Sequence, residues 1–229
     1  MKRMHWAVSG LAVAALGLLV SPLAMAAPGT ILGSGHDFST KGYGSTEICV
    51  FCHTPHNANT SVTGAPLWNH ALSAVASYTV YSSPSMNATT GQPGTISKLC
   101  LSCHDGTVAV DSFGALTGTH YVPATDNIGS IGAGGAGTGG THLENDHPIG
   151  FIYNAALVTA DPGLFPTSKA VTIGSTKSST GTISTKMLYS EQVECASCHD
   201  VHNTYTVAGT GLLKVTTAGS ALCLTCHDK

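Results

Sequence analysis

Charge is scarce in this sequence. Of 229 residues, nine are Lys or Arg and twelve are Asp or Glu, which is 9% of the chain. That shortage argues against a nucleic-acid binder, which needs basic patches to meet phosphates. Aromatic side chains are also few, at 6%, while glycines number 27. Such a chain has little ordinary hydrophobic core to offset the entropy of ordering its backbone. Something other than side chains is therefore expected to fill the middle. Beyond residue 26 there is no apolar run long enough to cross a membrane, which takes about 20 residues. No cysteine is left outside a repeated pattern, which leaves no odd thiol to explain.

The one apolar run lies at the start. Lys2 and Arg3 precede Leu11 to Val20, and Ala24-Met25-Ala26 supplies small residues for cleavage. This order reads as a secretory signal over residues 1–26, too short in its apolar part for an anchor. Cleavage there leaves residues 27–229, with seven basic side chains against twelve acids, a formal charge of −5. The expectation is a chain secreted across the inner membrane, with no membrane span once the signal is removed.

All eight cysteines fall into four copies of C-x-x-C-H. They are Cys49-Val50-Phe51-Cys52-His53, Cys100-Leu101-Ser102-Cys103-His104, Cys195-Ala196-Ser197-Cys198-His199 and Cys223-Leu224-Thr225-Cys226-His227. This is the attachment signature of haem c. Thiols three positions apart share one side of a helical turn, where both reach the vinyl groups of one porphyrin. The following histidine presents its imidazole to the iron. Two Cys₄ zinc sites would leave the four adjacent histidines unexplained, and disulfides need no histidine after each pair. A thioredoxin-like motif occurs singly beside a βαβ pattern, which is missing here. Four covalent haems, ligated by His53, His104, His199 and His227, are the expectation.

The sites alternate in kind. The first and third continue as His53-Thr54-Pro55-His56-Asn57 and His199-Asp200-Val201-His202-Asn203. The second and fourth end in His-Asp, at Asp105 and Asp228. A further histidine opens each half: His36 in His-Asp-Phe-Ser, and His147 in Asp-His-Pro-Ile-Gly-Phe. The pattern reads as a duplicated two-haem module, at about 27–115 and 142–229. The glycine-rich stretch at about 124–141 serves as the linker. It contains a G-x-G-x-x-G match from Gly132 to Gly137, but without the flanking strand and helix that a dinucleotide site needs.

Sixth ligands are expected from histidine. Residues 27–229 hold two methionines, Met86 and Met187, against seven histidines outside the motifs. His56 follows His53 by three positions on one side of a turn, so it cannot cap the opposite face of the same haem. It must serve another haem, most simply the partner in its own module, and His202 beside His199 follows the same logic. His36 and His147 complete the distal set, with His70 in reserve. His120 and His142 lack counterparts in the repeat and are expected at the surface, and Met86 reads as a turn residue. The fold expectation is a haem-dominated, mostly irregular coil with short α-helices and little β. Two tandem dihaem modules would surround a chain of four haems, with extended pieces near Tyr78 to Tyr81 and Lys169 to Ile173.

These motifs resemble those of multihaem cytochromes with doubled C-x-x-C-H. The chain looks most like the OmcE-type tetrahaem cytochromes that polymerise into extracellular nanowires. The resemblance runs through His36 to Ser39, Cys49 to Asn57, Pro66 to His70, Cys100 to Asp105, Asp146 to Phe151 and both C-terminal sites. It implies a homopolymeric filament of closely spaced bis-histidine haems, in which an axial histidine can come from the neighbouring subunit. It further implies an extracellular or cell-surface electron carrier rather than an enzyme, working with redox partners such as extracellular electron acceptors. A monomeric periplasmic shuttle and a multihaem reductase remain the alternatives.

Overall fold

The computed structural model describes residues 30–65, 67–128 and 140–228. The expected export signal, and the linker between 129 and 139, lie outside the described residues. In chain order the elements are β1 (Thr79–Val80), α1 (Thr95–His104), a 3-10 turn (Ala124–Asp126), β2 (His142–Leu143) and β3 (Phe151–Ile152). Then come α2 (Ala155–Ala160), β4 (Ala170–Ile173), β5 (Ser179–Thr182), α3 (Ile183–Lys186) and β6 (Gln192–Val193). The chain closes with α4 (Cys195–Cys198), a second 3-10 turn (Ala218–Ser220) and α5 (Cys223–Cys226). The rest is turn and coil, and both expected extended pieces coincide with strands. Among the described residues no helix is long and apolar enough to cross a membrane.

Helices this short are marginal alone, so each is held by its ends or its neighbours. The Asn154 side chain accepts from the amides of Ala156 and Leu157 and starts α2. Thr182 and Thr185 form a reciprocal capping box on α3, and Glu194 and Ser197 another on α4. These satisfy amide groups that a first turn leaves without intrahelical partners. The longest helix, α1, has no side-chain cap at Gly94 and is held instead by the face carrying buried Ser97, Leu101 and Ser102.

Three two-stranded pairings tie the elements together. β1 and β2 run parallel, with Thr79 opposite His142, and fasten the first half to the start of the second. β3 and β6 are antiparallel, with Phe151 opposite Val193, and deliver the chain to α4. β4 and β5 form a hairpin whose inward residues, Val171 and Ile173, alternate with exposed ones.

The halves differ in their cores. In the second, Val171 and Ile173 meet Phe151, Tyr153, Leu157, Ile183, Met187 and Val193 in one buried cluster. Among the described residues the first has smaller groups: Val62 with Ala65 and Trp68, Phe51 edge-on to Phe113 and Phe38, and Tyr78 and Leu101 with Leu143 of the second half. The expectation of a scarce side-chain core describes the first half. It understates the second, where period-two alternation in a hairpin concentrates what apolar residues there are. Met187 belongs to this cluster and is only 3% exposed.

Ile183 is fully buried. Ile183→Ala should cost about 2–5 kcal/mol and Ile183→Val about 0.5–1.5, from lost burial and the cavity left behind. Val62→Ala, in the thin cluster, should cost less than Ile183→Ala. Denaturant unfolding of the purified protein checks the order, and equal losses at Val62 and Ile183 would contradict the asymmetry.

Candidate haem-attachment sites

Each C-x-x-C-H segment is wound into one helical turn. The amides of His53, His199 and His227 donate to the carbonyls of Cys49, Cys195 and Cys223 at 2.8, 3.2 and 2.9 Å. The second site lies inside α1, which ends on His104. This turn brings both thiols to one side and delivers the histidine next to them. All eight cysteines are free of disulfides. Burial raises Cys52 and Cys226 to about 11 and Cys103 to about 12. Among the described residues, no three His, Cys, Asp or Glu side chains converge as a metal site.

The first and third sites are built alike beyond the motif itself. Thr54 donates its amide to Leu67, and Asp200 to Leu212, both at 2.9 Å. Asn69 and Lys214 each donate their amide to the second cysteine of the site, Cys52 or Cys198, at 2.8 Å. His53 bridges to Trp68 and His199 to Leu213. Leu67 and Leu212 both adopt positive φ, 58° and 65°. So do Asn57 and Asn203, at 56° and 55°. Asparagine tolerates that left-handed region better than most residues, which explains the shared His-Asn ending. The segments Leu67-Trp68-Asn69 and Leu212-Leu213-Lys214 thus clamp the two sites alike; the first lies in the Pro66 to His70 stretch noted in the sequence, but its equivalence to the second was missed. The one sequence signal was a leucine 13 or 14 positions after each motif histidine.

The second and fourth sites differ in the setting of their final Asp. Asp105 is fully buried and accepts from the hydroxyls of Ser73, Tyr78 and Thr107 and the amide of Thr107. Asp228 is exposed. At the fourth site Lys169 Nζ donates to the carbonyls of Leu224 and Thr225 at 2.8 and 3.3 Å.

The second and third sites touch each other. Buried Glu194, just before Cys195, accepts from the amide and hydroxyl of Ser97 in α1. Ser97 Oγ in turn accepts from the Cys195 amide at 3.0 Å. The thiols of Cys100 and Cys195 interact, raising the pKa of Cys100 and lowering that of Cys195.

Histidines face one another across gaps. His36 and His104 have ring centres 6.0 Å apart, His53 and His202 6.2 Å, and His147 and His227 6.5 Å. A metal–imidazole bond of about 2 Å on each side sets two trans imidazole centres roughly 6 to 6.5 Å apart. These gaps therefore fit an iron between the rings. The ring nitrogens fit as well. Nδ1 of His104, His147 and His199 lies 2.6, 2.9 and 3.0 Å from the carbonyls of Asp126, Pro148 and Gly211. That contact fixes the tautomer and leaves Nε2 for a metal. Burial, reinforced by the His104 imidazole, lowers His36 to about 4, and its Nδ1 is buried without a hydrogen-bond partner.

The remaining histidines are placed differently. His202 lies against His53, in the other half, rather than near the fourth site of its own half. His56 is exposed, and so is His199. No other histidine ring among the described residues stands at the facing distance from either. His70 is buried, with Nδ1 and Nε2 2.7 and 3.0 Å from the carbonyls of Ala71 and Ala109. Both of its nitrogens are thus engaged, and its counterpart after Lys214 is Val215. His120 stacks on Tyr43 and pairs with Asp111 at 2.6 Å, and His142 meets Glu144 at 2.9 Å. Both of these are partly exposed, as expected.

Residues 189–229 match the family model for the doubled CXXCH motif. This is the signature of a multihaem c-type cytochrome, an electron-transfer protein. The match covers the third and fourth sites, so Cys195, Cys198, Cys223 and Cys226 lie within it. No curated protein matches the chain.

A Cβ at Gly94 would collide with the Glu194 carboxylate at the contact between the second and third sites. Gly94→Ala should therefore destabilise the protein by about 1–3 kcal/mol, as overpacking does. Gly35, where a Cβ meets nothing within 4 Å, supplies the control. Unfolding of the two variants side by side tests this, and equal stability would contradict the tight junction.

Proposed function

We propose that the chain carries four covalent haems c, one at each C-x-x-C-H. It would conduct electrons along them as a homopolymeric filament at or beyond the outer cell surface. Bound haem supplies reversible one-electron Fe(III)/Fe(II) chemistry. Two cysteines would tether each porphyrin and two imidazoles would hold its iron: His36 with His104, His53 with His202, and His147 with His227.

One observation carries the filament. The three pairs use every motif histidine except His199, and every distal candidate except His56. His56 is exposed, and among the described residues neither ring stands at the spacing of those pairs from another histidine, although His104 lies near enough to help burial lower His199. By the repeat, His202 serves the first site, so His56 is the matching ligand for the third. Pairing His56 of one copy with His199 of the next closes all four irons and propagates the assembly. His56 borders a cleft with Trp68, Phe113 and the exposed Leu116, which gives a neighbouring copy an apolar seat. The signal at residues 1–26 supplies export, and reduction partners would meet the filament at its ends.

The same observation favours one other arrangement, a monomer with an open coordination position at the third site. That would suit a periplasmic shuttle or a reductase. His56→Ala separates the readings. In the filament, wild-type protein imaged by electron microscopy shows ordered polymers and binds no carbon monoxide when reduced. The variant keeps its haem content, stays monomeric, and binds carbon monoxide at one haem. Wild-type protein that is monomeric and already binds carbon monoxide would establish the open site instead.

A further inference from the structure

The first and third sites receive the same hydrogen bond from donors of different charge. Val50 and Ala196 each follow the first cysteine of their site. Asn69 Nδ2 donates to the Val50 carbonyl at 2.7 Å, and Lys214 Nζ to the Ala196 carbonyl at 2.5 Å. The backbones of Asn69 and Lys214 occupy equivalent positions in the clamp described above. A neutral amide at one site is thus replaced by an ammonium at the other.

Lys214 is only 6% exposed. Its three donors reach the carbonyls of Ala196 and Lys186 and the hydroxyl of Tyr189, the last two at 3.0 and 3.4 Å. Among the described residues no carboxylate lies within ion-pair distance. Asp200 is occupied by the amides of His202, Thr204 and Tyr205 at 3.1, 3.0 and 2.8 Å. Glu194 lies between the second and third sites and bears on both. The Lys214 ammonium is therefore buried and hydrogen-bonded to neutral groups; burial lowers its pKa, which the nearby Asp200 carboxylate partly offsets.

We propose that Lys214 raises the reduction potential of the haem that Cys195, Cys198 and His199 would hold. This rests on the haem assignment above. Reduction of Fe(III) to Fe(II) adds one electron to the site, drawn from an electrode or chemical reductant, without making or breaking a bond. A buried cation favours the more negative state, and low local polarity strengthens the effect.

The test is spectroelectrochemical titration of the full haem-loaded protein, with haem content measured first by mass. In Lys214→Gln one component should move to lower potential by at least tenfold in its reduction equilibrium, about 59 mV for one electron. Lys214→Arg should titrate like wild type, and Asn69→Lys should move a different component upward. A fully loaded Lys214→Gln whose curve overlays wild type would overturn the proposal. Should that variant lose haem, Asn69→Lys decides, because an unmoved curve there is equally fatal. Wild-type protein carrying fewer than four haems would instead sink the haem assignment, which the mass measurement reports separately.

Discussion

The contact between α1 and α4 is what the rest of the molecule is arranged around. Glu194 is 3% exposed and Ser97 is fully buried, and together they join the start of the second attachment helix to the start of the third. A buried carboxylate is costly unless its oxygens are occupied. Here they accept from Ser97 and from the first turn of α4. The requirement for space reaches outward from there, to Gly94 on one side and to β6 on the other. The β3–β6 pairing positions Val193 immediately before this carboxylate, which anchors the aliphatic cluster of the second half to the junction between halves.

The attachment sites were legible because their chemistry is local. Two thiols and an imidazole within five positions specify a helical turn, and each of the four segments forms one. The predominance of coil and the two extended pieces were legible for similar reasons. Composition limits the core, and β4 carries its own alternation. The cluster around Ile183 was not legible, because its members come from five separate segments between Phe151 and Val193. None of those segments is conspicuous by itself.

The facing histidines divide along the same line. The sequence could say that His56 and His202 must serve haems other than their neighbours'. It could not say which, because that depends on how the two halves are laid against each other. The simplest guess kept each ligand within its own half, whereas the structure sets His202 beside His53. The equivalence of the two clamp segments escaped notice for another reason. Leu67 and Leu212 are equivalent through backbone hydrogen bonds and a shared left-handed conformation, and around them Trp68-Asn69 aligns with Leu213-Lys214. Backbone roles of that kind leave only a faint trace in side-chain identity.

The Cys100 and Cys195 thiols interact across the joint between α1 and α4. If each tethers a porphyrin, as proposed, both rings would be held from the one joint around Ser97 and Glu194. Tunnelling falls off steeply with distance, so bending at the joint would slow transfer between them. Stiffness there would then set conductance at the centre of the chain, and strain would register as electrical resistance.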